Sequence, residues 1–146
     1  ESYARSPETR LEIDYADRQF DALVADVADD PATSARLWRR VVDLVDGVRP
    51  PHETWFERYR LAAALDRSGR PADALAVAEP ILEANPRTLP VLAVAARCYL
   101  DEGRLTEARH TVDQLTWALA KADDDFPLRA TATALEAEVA AREARP

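Results

Sequence analysis

Methionine is absent from the 146 residues of this chain, cysteine occurs once and glycine three times. A lone cysteine, Cys98, builds neither an internal disulfide nor a cysteine zinc cluster. Isolated glycines give no collagen-like repeat and no phosphate-cradling loop. No stretch approaches the roughly 20 apolar residues of a membrane span. Lysine is nearly missing too: of the 19 Lys and Arg residues only Lys121 is lysine. Against 27 acidic residues these leave a formal charge of −8, which argues against nucleic-acid backbone binding as the main task. Arginine in place of lysine, with abundant alanine, reads as GC-rich coding and points to a bacterial source. The missing methionine points to an excised fragment or processed chain of a larger protein. The compartment stays open between cytoplasm and periplasm, with any tether in a segment outside this one.

What is present is 47% hydrophobic and 32% charged residues, enough for one folded domain or a few stacked helical units. Apolar residues recur at three- and four-residue spacing, with little strand-like alternation. The stripes run through Leu11, Tyr15, Leu23 and Val27; Leu37, Val41, Leu44 and Val45; Trp55, Tyr59, Ala62 and Leu65; and Ala74, Val77, Ala78, Ile81 and Leu82. Three more follow: Val91, Leu92, Ala95, Ala96, Tyr99 and Leu100; Ala108, Val112, Leu115 and Leu119; and Leu128, Leu135 and Val139. Gly47, Gly69 and Gly103 each follow a stripe, where a helix stops and a left-handed residue costs least. About seven helices joined by short turns are expected, so that consecutive helices lie antiparallel. Pro71 suits a helix start. Pro80 falls inside a helix, where it removes the bond to Ala76 and should kink the rod.

One period organises the middle of the chain. Gly69-Arg70 recurs as Gly103-Arg104, 34 residues on. Seven residues before each glycine stands an alanine, Ala62 and Ala96, and five after stand Ala74 and Ala108. Large apolar residues, Leu65 and Tyr99, lie four before, and Ile81 and Leu115 twelve after. Small residues at fixed register let two antiparallel helices approach, and the large ones fill the gaps.

With these residues the chain resembles the tetratricopeptide repeat family, a 34-residue helix-turn-helix unit. Ala62, Leu65, Gly69 and Ala74 fit that pattern, as do Ala96, Tyr99, Gly103 and Ala108, and Pro86 closes the first unit. The second has Ala120 in place of that proline, so its second helix should run on toward Asp123. Arg58 and Leu92 stand where the family has an aromatic. The resemblance implies an all-α solenoid of antiparallel hairpins with units at 55–88 and 89–122. Residues 1–54 would be an N-terminal hairpin and connector, read as a degenerate unit through Ala35. Residues 123–146 would be a loop and a capping helix from Leu128 to Arg145, whose polar outer face closes the stack.

Little in the sequence points to catalysis. His52 and His110 have no second ligand at helical spacing, and Cys98 reads as a small half-buried thiol with no neighbouring base. Asp29-Asp30 and Asp123 to Asp125 lack the calcium-loop spacing. No cofactor and no metal are expected. Trp38, Trp55, Phe56, Tyr59, Tyr99 and Trp117 are read as inter-helix filling, except that adjacent Trp55 and Phe56 cannot both face inward.

The resemblance further implies a concave groove lined by the first helices. There it places Tyr59, Ala63, Asp66 and Arg67 from one unit and Ala93, Arg97, Leu100 and Asp101 from the next. Lysine and asparagine, which clamp a C-terminal carboxylate in such grooves, are missing from these positions. Arg67 and Arg97 could meet a carboxylate or phosphate bidentately, or be spent on Asp66 and Asp101. Changing Arg97 is then expected to affect binding more than stability. The leading reading is a non-enzymatic scaffold or adaptor that binds a peptide or protein, self-association included, without contacting nucleic acid. Leu61 to Leu65, with Arg67-Ser68-Gly69-Arg70 and Ala74-Leu75, also resembles the helical domain of actinobacterial transcriptional activators. A docking domain of an envelope secretion or assembly complex is the third reading.

Overall fold

The computed structural model describes residues 6–50 and 52–145; Pro51 of the connector lies outside them. Seven α-helices follow one another: α1 (Pro7–Val27), α2 (Pro31–Val45), α3 (Trp55–Arg67), α4 (Pro71–Ala84), α5 (Leu89–Asp101), α6 (Leu105–Leu119) and α7 (Pro127–Glu143). The described residues contain no strand, only an isolated bridge between Asp46 and Arg49. The helix starts follow from local chemistry. Ser6 Oγ accepts from the Thr9 amide at 3.2 Å, and Asp30 accepts from Thr33 at 3.1 Å. Each cap is followed by proline in the first turn, where a missing N–H costs nothing.

Each helix packs on the next, and in addition α3 meets α5 and α5 meets α7. The odd-numbered helices therefore form a row, with the even-numbered helices behind it. Two buried clusters fill the stack. One centres on Trp38, Leu61 and Val91 between α1 and α5. The other centres on Leu92, Leu115 and Val139 between α5 and α7.

The corners between paired helices share one geometry. Gly69 and Gly103 take φ of +72° and +71°. Asp29, between α1 and α2, takes φ +53° and is the sole non-glycine described residue with positive φ. Counting from these three corners, Ala22, Ala62 and Ala96 coincide, as do Ser34, Ala74 and Ala108, and all six are fully buried. Val41, Ile81 and Leu115 coincide likewise and are buried. The register of the first pair thus runs through Ser34, not Ala35. Asp29 precedes Gly69 by 40 residues, and the excess over 34 lies in the connector between α2 and α3. A Cβ on Gly69 would meet nothing within 4 Å, so Gly69→Ala is charged only the left-handed backbone, about 1 kcal/mol. Denaturant melts should show that loss, whereas Asp29→Gly should be neutral or stabilising.

Several expectations change. On α1 the buried residues are Ala22 and Ala25, while Leu23 and Val27 are 38% and 88% exposed, because α2 lies on the alanine side. α6 ends at Leu119 instead of running toward Asp123. Its end tightens through bonds from Ala120 to Trp117 and from Ala122 to Leu119, which tuck Ala122 against the second cluster. Cys98 is fully buried, not half-buried, since α4 covers its side of α5. Of the six aromatics read as filling, Trp38 is buried and Tyr59 and Tyr99 pack half-buried against the clusters, whereas the other three are exposed. Trp117 is 71% exposed, its ring facing Arg87 at 5.8 Å. Trp55 and Phe56 are both partly exposed, and Phe56 meets the Trp38 ring edge-on at 6.1 Å. α4 continues past Pro80 to Ala84, with Pro80 on its exposed side.

Candidate functional site

The C-terminal ends of α1, α3 and α5 are each tied to the next odd-numbered helix by a ladder of arginines. Asp26, three residues before its corner on α1, is almost wholly buried; its side chain is 7% exposed. It accepts from Ser34 Oγ, from Trp38 Nε1 at 2.8 Å, from Arg60 Nε at 3.1 Å and from Arg67 Nη2 at 3.2 Å. Asp66 occupies the same register position on α3 and accepts from Arg97 Nε of α5 at 2.5 Å. On α5 that position is Leu100. It has no carboxylate to offer, so its backbone carbonyl accepts from Arg142 Nη1 of α7. α1, α3 and α5 therefore each present an acceptor to an arginine on the next odd-numbered helix. Charge-assisted bonds of this kind fix spacing as well as contribute energy.

The ladder decides where the eight expected groove residues stand. Tyr59 and Ala63 are half-buried on α3, and Asp101 is exposed at the end of α5. Arg67 is exposed but bonded to Asp26, and it reaches Asp29 at 3.5 Å. Arg97 is partly exposed and bonded to Asp66. Asp66, Ala93 and Leu100 are corrections: all three are buried and line no open surface. Ala93 and Leu100 belong to the second cluster because α7 lies against α5, and Asp66 is covered by the arginine that pairs with it. Of the two partners weighed for the arginines, Asp66 takes Arg97, while Arg67 turns to α1. Sequence reasoning missed Asp26 and Arg60. The available signal was Asp26 standing three before an unrecognised corner.

Electrostatics follow the same contacts. Burial by itself would raise the Asp26 pKa, but hydrogen bonds from Ser34, Arg60 and Trp38 outweigh it and bring it below the usual 3.8. Burial pushes the Cys98 thiol up, reinforced by the Asp66 carboxylate, which leaves it a poor nucleophile. Burial and a bond to Glu79 raise the Tyr99 phenol to about 12. His52 is exposed beside Glu53 at 3.8 Å, and His110 is exposed on α6. Among the described residues no three His, Cys, Asp or Glu side chains gather to hold a metal ion. No described helix is long and apolar enough to cross a membrane.

The geometry revises the expectation for Arg97. Arg97→Ala would leave a carboxylate whose side chain is 3% exposed with only the weak Cys98 thiol as side-chain donor, at a cost of about 1–3 kcal/mol. Arg67→Ala leaves Asp26 its three other donors and should cost under about 1 kcal/mol. Urea midpoints of the two variants compare them directly.

Comparison with known proteins agrees with this architecture. A family model described as tetratricopeptide repeat matches residues 65–135, from the end of α3 into α7. A comparison with curated protein sequences gives no match. Among solved structures the chain is similar to the crystal structure of the P58(IPK) TPR domain, with a TM-score of 0.74 and 15% identity. The likeness covers 93% of this chain and 36% of that one, so the chain spans about a third of that structure. At such identity the likeness speaks for the fold alone. The repeated corners, the buried alanines at matched register and the family match lead to one statement: the chain has a tetratricopeptide-like helical-repeat fold, and its residues 65–135 match the tetratricopeptide repeat family.

Proposed function

We propose that the chain is a non-enzymatic adaptor: three stacked hairpins, 7–45, 55–84 and 89–119, followed by α7 as the closing helix. It receives an extended or helical segment of a partner protein against the inward side of α1, α3 and α5. The tetratricopeptide fold is commonly a protein–protein interaction module. The observation that carries the reading is the arginine ladder. By holding α1, α3, α5 and α7 at fixed spacing, it pre-organises the residues left open between them, Tyr59, Ala63, Arg97 and Asp101, and so lowers the ordering cost of binding. Because Arg67 and Arg97 already hold carboxylates, the groove recognises its guest by shape and apolar contact more than by free cations. The composition favours a bacterial parent protein.

A photo-cross-linking residue at Ala63, with a second placed at exposed Ala76 on α4 as control, tests the groove. Protein adducts at position 63 that vanish when Tyr59 is changed to aspartate are expected. Adducts equal at both positions, or nucleic acid alone at position 63, would overturn the reading.

A further inference from the structure

The helix α1 has two apolar faces. One, through Ala22 and Ala25, is buried against α2. The other, half a turn round the helix, carries Phe20 at 66% exposure, Val24 at 52% and Val27 at 88%, with Ile13 and Leu23 beside them. Ile13 to Val27 spans about 21 Å along the axis. Large residues spaced i, i+4, i+7 on the open side of a helix form a continuous stripe that is unpartnered among the described residues.

The repeat itself shows what covers such a surface. Counted from the corners, Val24 corresponds to Ala64 on α3 and Cys98 on α5, and both are fully buried. Phe20 corresponds to Arg60 and to buried Val94. α2 packs on α3 and α4 on α5, so at the two later hairpins this side faces a helix. On α1 the neighbouring row carries two carboxylates, against one on α3 and none on α5. Asp17 and Asp21 stand where α3 has Glu57 and Leu61 and α5 has Val91 and Ala95, all buried. Both aspartates are exposed, and neither meets a cation within ion-pair distance among the described residues; of the two arginines that line a cleft with Asp21, Arg18 is paired with Asp14 at 2.9 Å, and Arg40 stands on α2. A helix laid on this stripe must answer two carboxylates or leave them desolvated, which is costly.

We propose that the outer face of α1 is a docking site for an amphipathic helix of a partner protein whose apolar stripe is flanked by lysine or arginine. The site is separate from the inward groove and goes beyond the groove reading. A second copy of this chain is the wrong occupant, because two such faces would bring Asp17 and Asp21 against their equivalents on molecules that each carry −8. An anionic lipid surface is repelled by the same row.

The test uses a synthetic amphipathic peptide about five turns long. Leucines form its stripe and lysines its flanks, and a counterpart carries glutamate in place of lysine. Anisotropy is measured on the whole chain. The lysine peptide should bind in a salt-dependent manner, and the glutamate peptide at least about tenfold more weakly. Phe20→Asp or Val24→Asp should each weaken binding about tenfold or more while leaving the thermal midpoint in place, since both side chains are exposed. A chain carrying Asp17→Lys and Asp21→Lys should exchange its preference for the glutamate peptide. Equal affinity of both peptides, or binding insensitive to Phe20→Asp, overturns the proposal. A dimer in sedimentation equilibrium that Phe20→Asp abolishes would put a second copy there and overturn it too. Binding lost through Tyr59→Asp and not through Phe20→Asp would overturn it while leaving the groove reading intact.

Discussion

Asp26→Ala should lower the unfolding free energy by about 3–5 kcal/mol, the range for removing one partner from a buried charge network. The carboxylate serves Ser34 and Trp38 of α2 and Arg60 and Arg67 of α3. Alanine leaves the fully buried Trp38 without a partner for its indole N–H and Ser34 without one for its hydroxyl, and it releases Arg60 into a partly apolar neighbourhood. The effect carries a pH signature. Asp26 titrates below its ordinary 3.8 in the folded chain, so its contribution is complete above that value and fades as pH falls through the lower folded pKa. The gap between parent and variant in urea melts should therefore be full at neutral pH and narrow under strong acid. A constant gap would mean that Asp26 acts by packing alone.

The second large effect is expected at Trp38. It is fully buried, meets Phe56 edge-on, lies under the Arg60 guanidinium at 5.7 Å and donates to Asp26. Trp38→Ala empties the centre of the first cluster and should cost about 3–5 kcal/mol. Trp38→Phe keeps most of the volume, loses the donor and should cost less, about 1–2 kcal/mol. Because Trp38 and Asp26 share a hydrogen bond, the double variant should cost less than the two singles together. Strict additivity in a double-mutant cycle would contradict the network drawn here.

How far the sequence could be read varied with the kind of signal. Corners marked by glycine were legible, because Gly69 and Gly103 occupy positions that few other residues accept, and with them came the alanines at matched register. The first hairpin was misplaced by one residue because its corner is held by Asp29, which tolerates the left-handed region without announcing it. The groove was legible as a row of positions but not as a surface. Periodicity tells which side of α5 Leu100 and Ala93 occupy, and it does not tell that α7 folds down over that side. Pairing over distance was out of reach as well. Asp26 and Arg67 are 41 residues apart, and Leu100 and Arg142 are 42 apart. Nothing local links them. Trp117 failed for a different reason: a tryptophan has the same identity whether it fills a core, as Trp38 does, or stands in solvent.

The claim beneath all of this is that three hairpins, and not two, share one crossing built on a matched small residue. The family match begins at residue 65 and so does not reach the first of them. Thermal and urea melts of Ala22→Leu, set beside Ala62→Leu, Ala96→Leu and the exposed control Ala76→Leu, test it most directly. Three comparable losses of about 1–3 kcal/mol from overpacking, with the control within about 0.5 kcal/mol of the parent, are expected. An Ala22→Leu chain that melts like the parent while the other two fall would contradict the account.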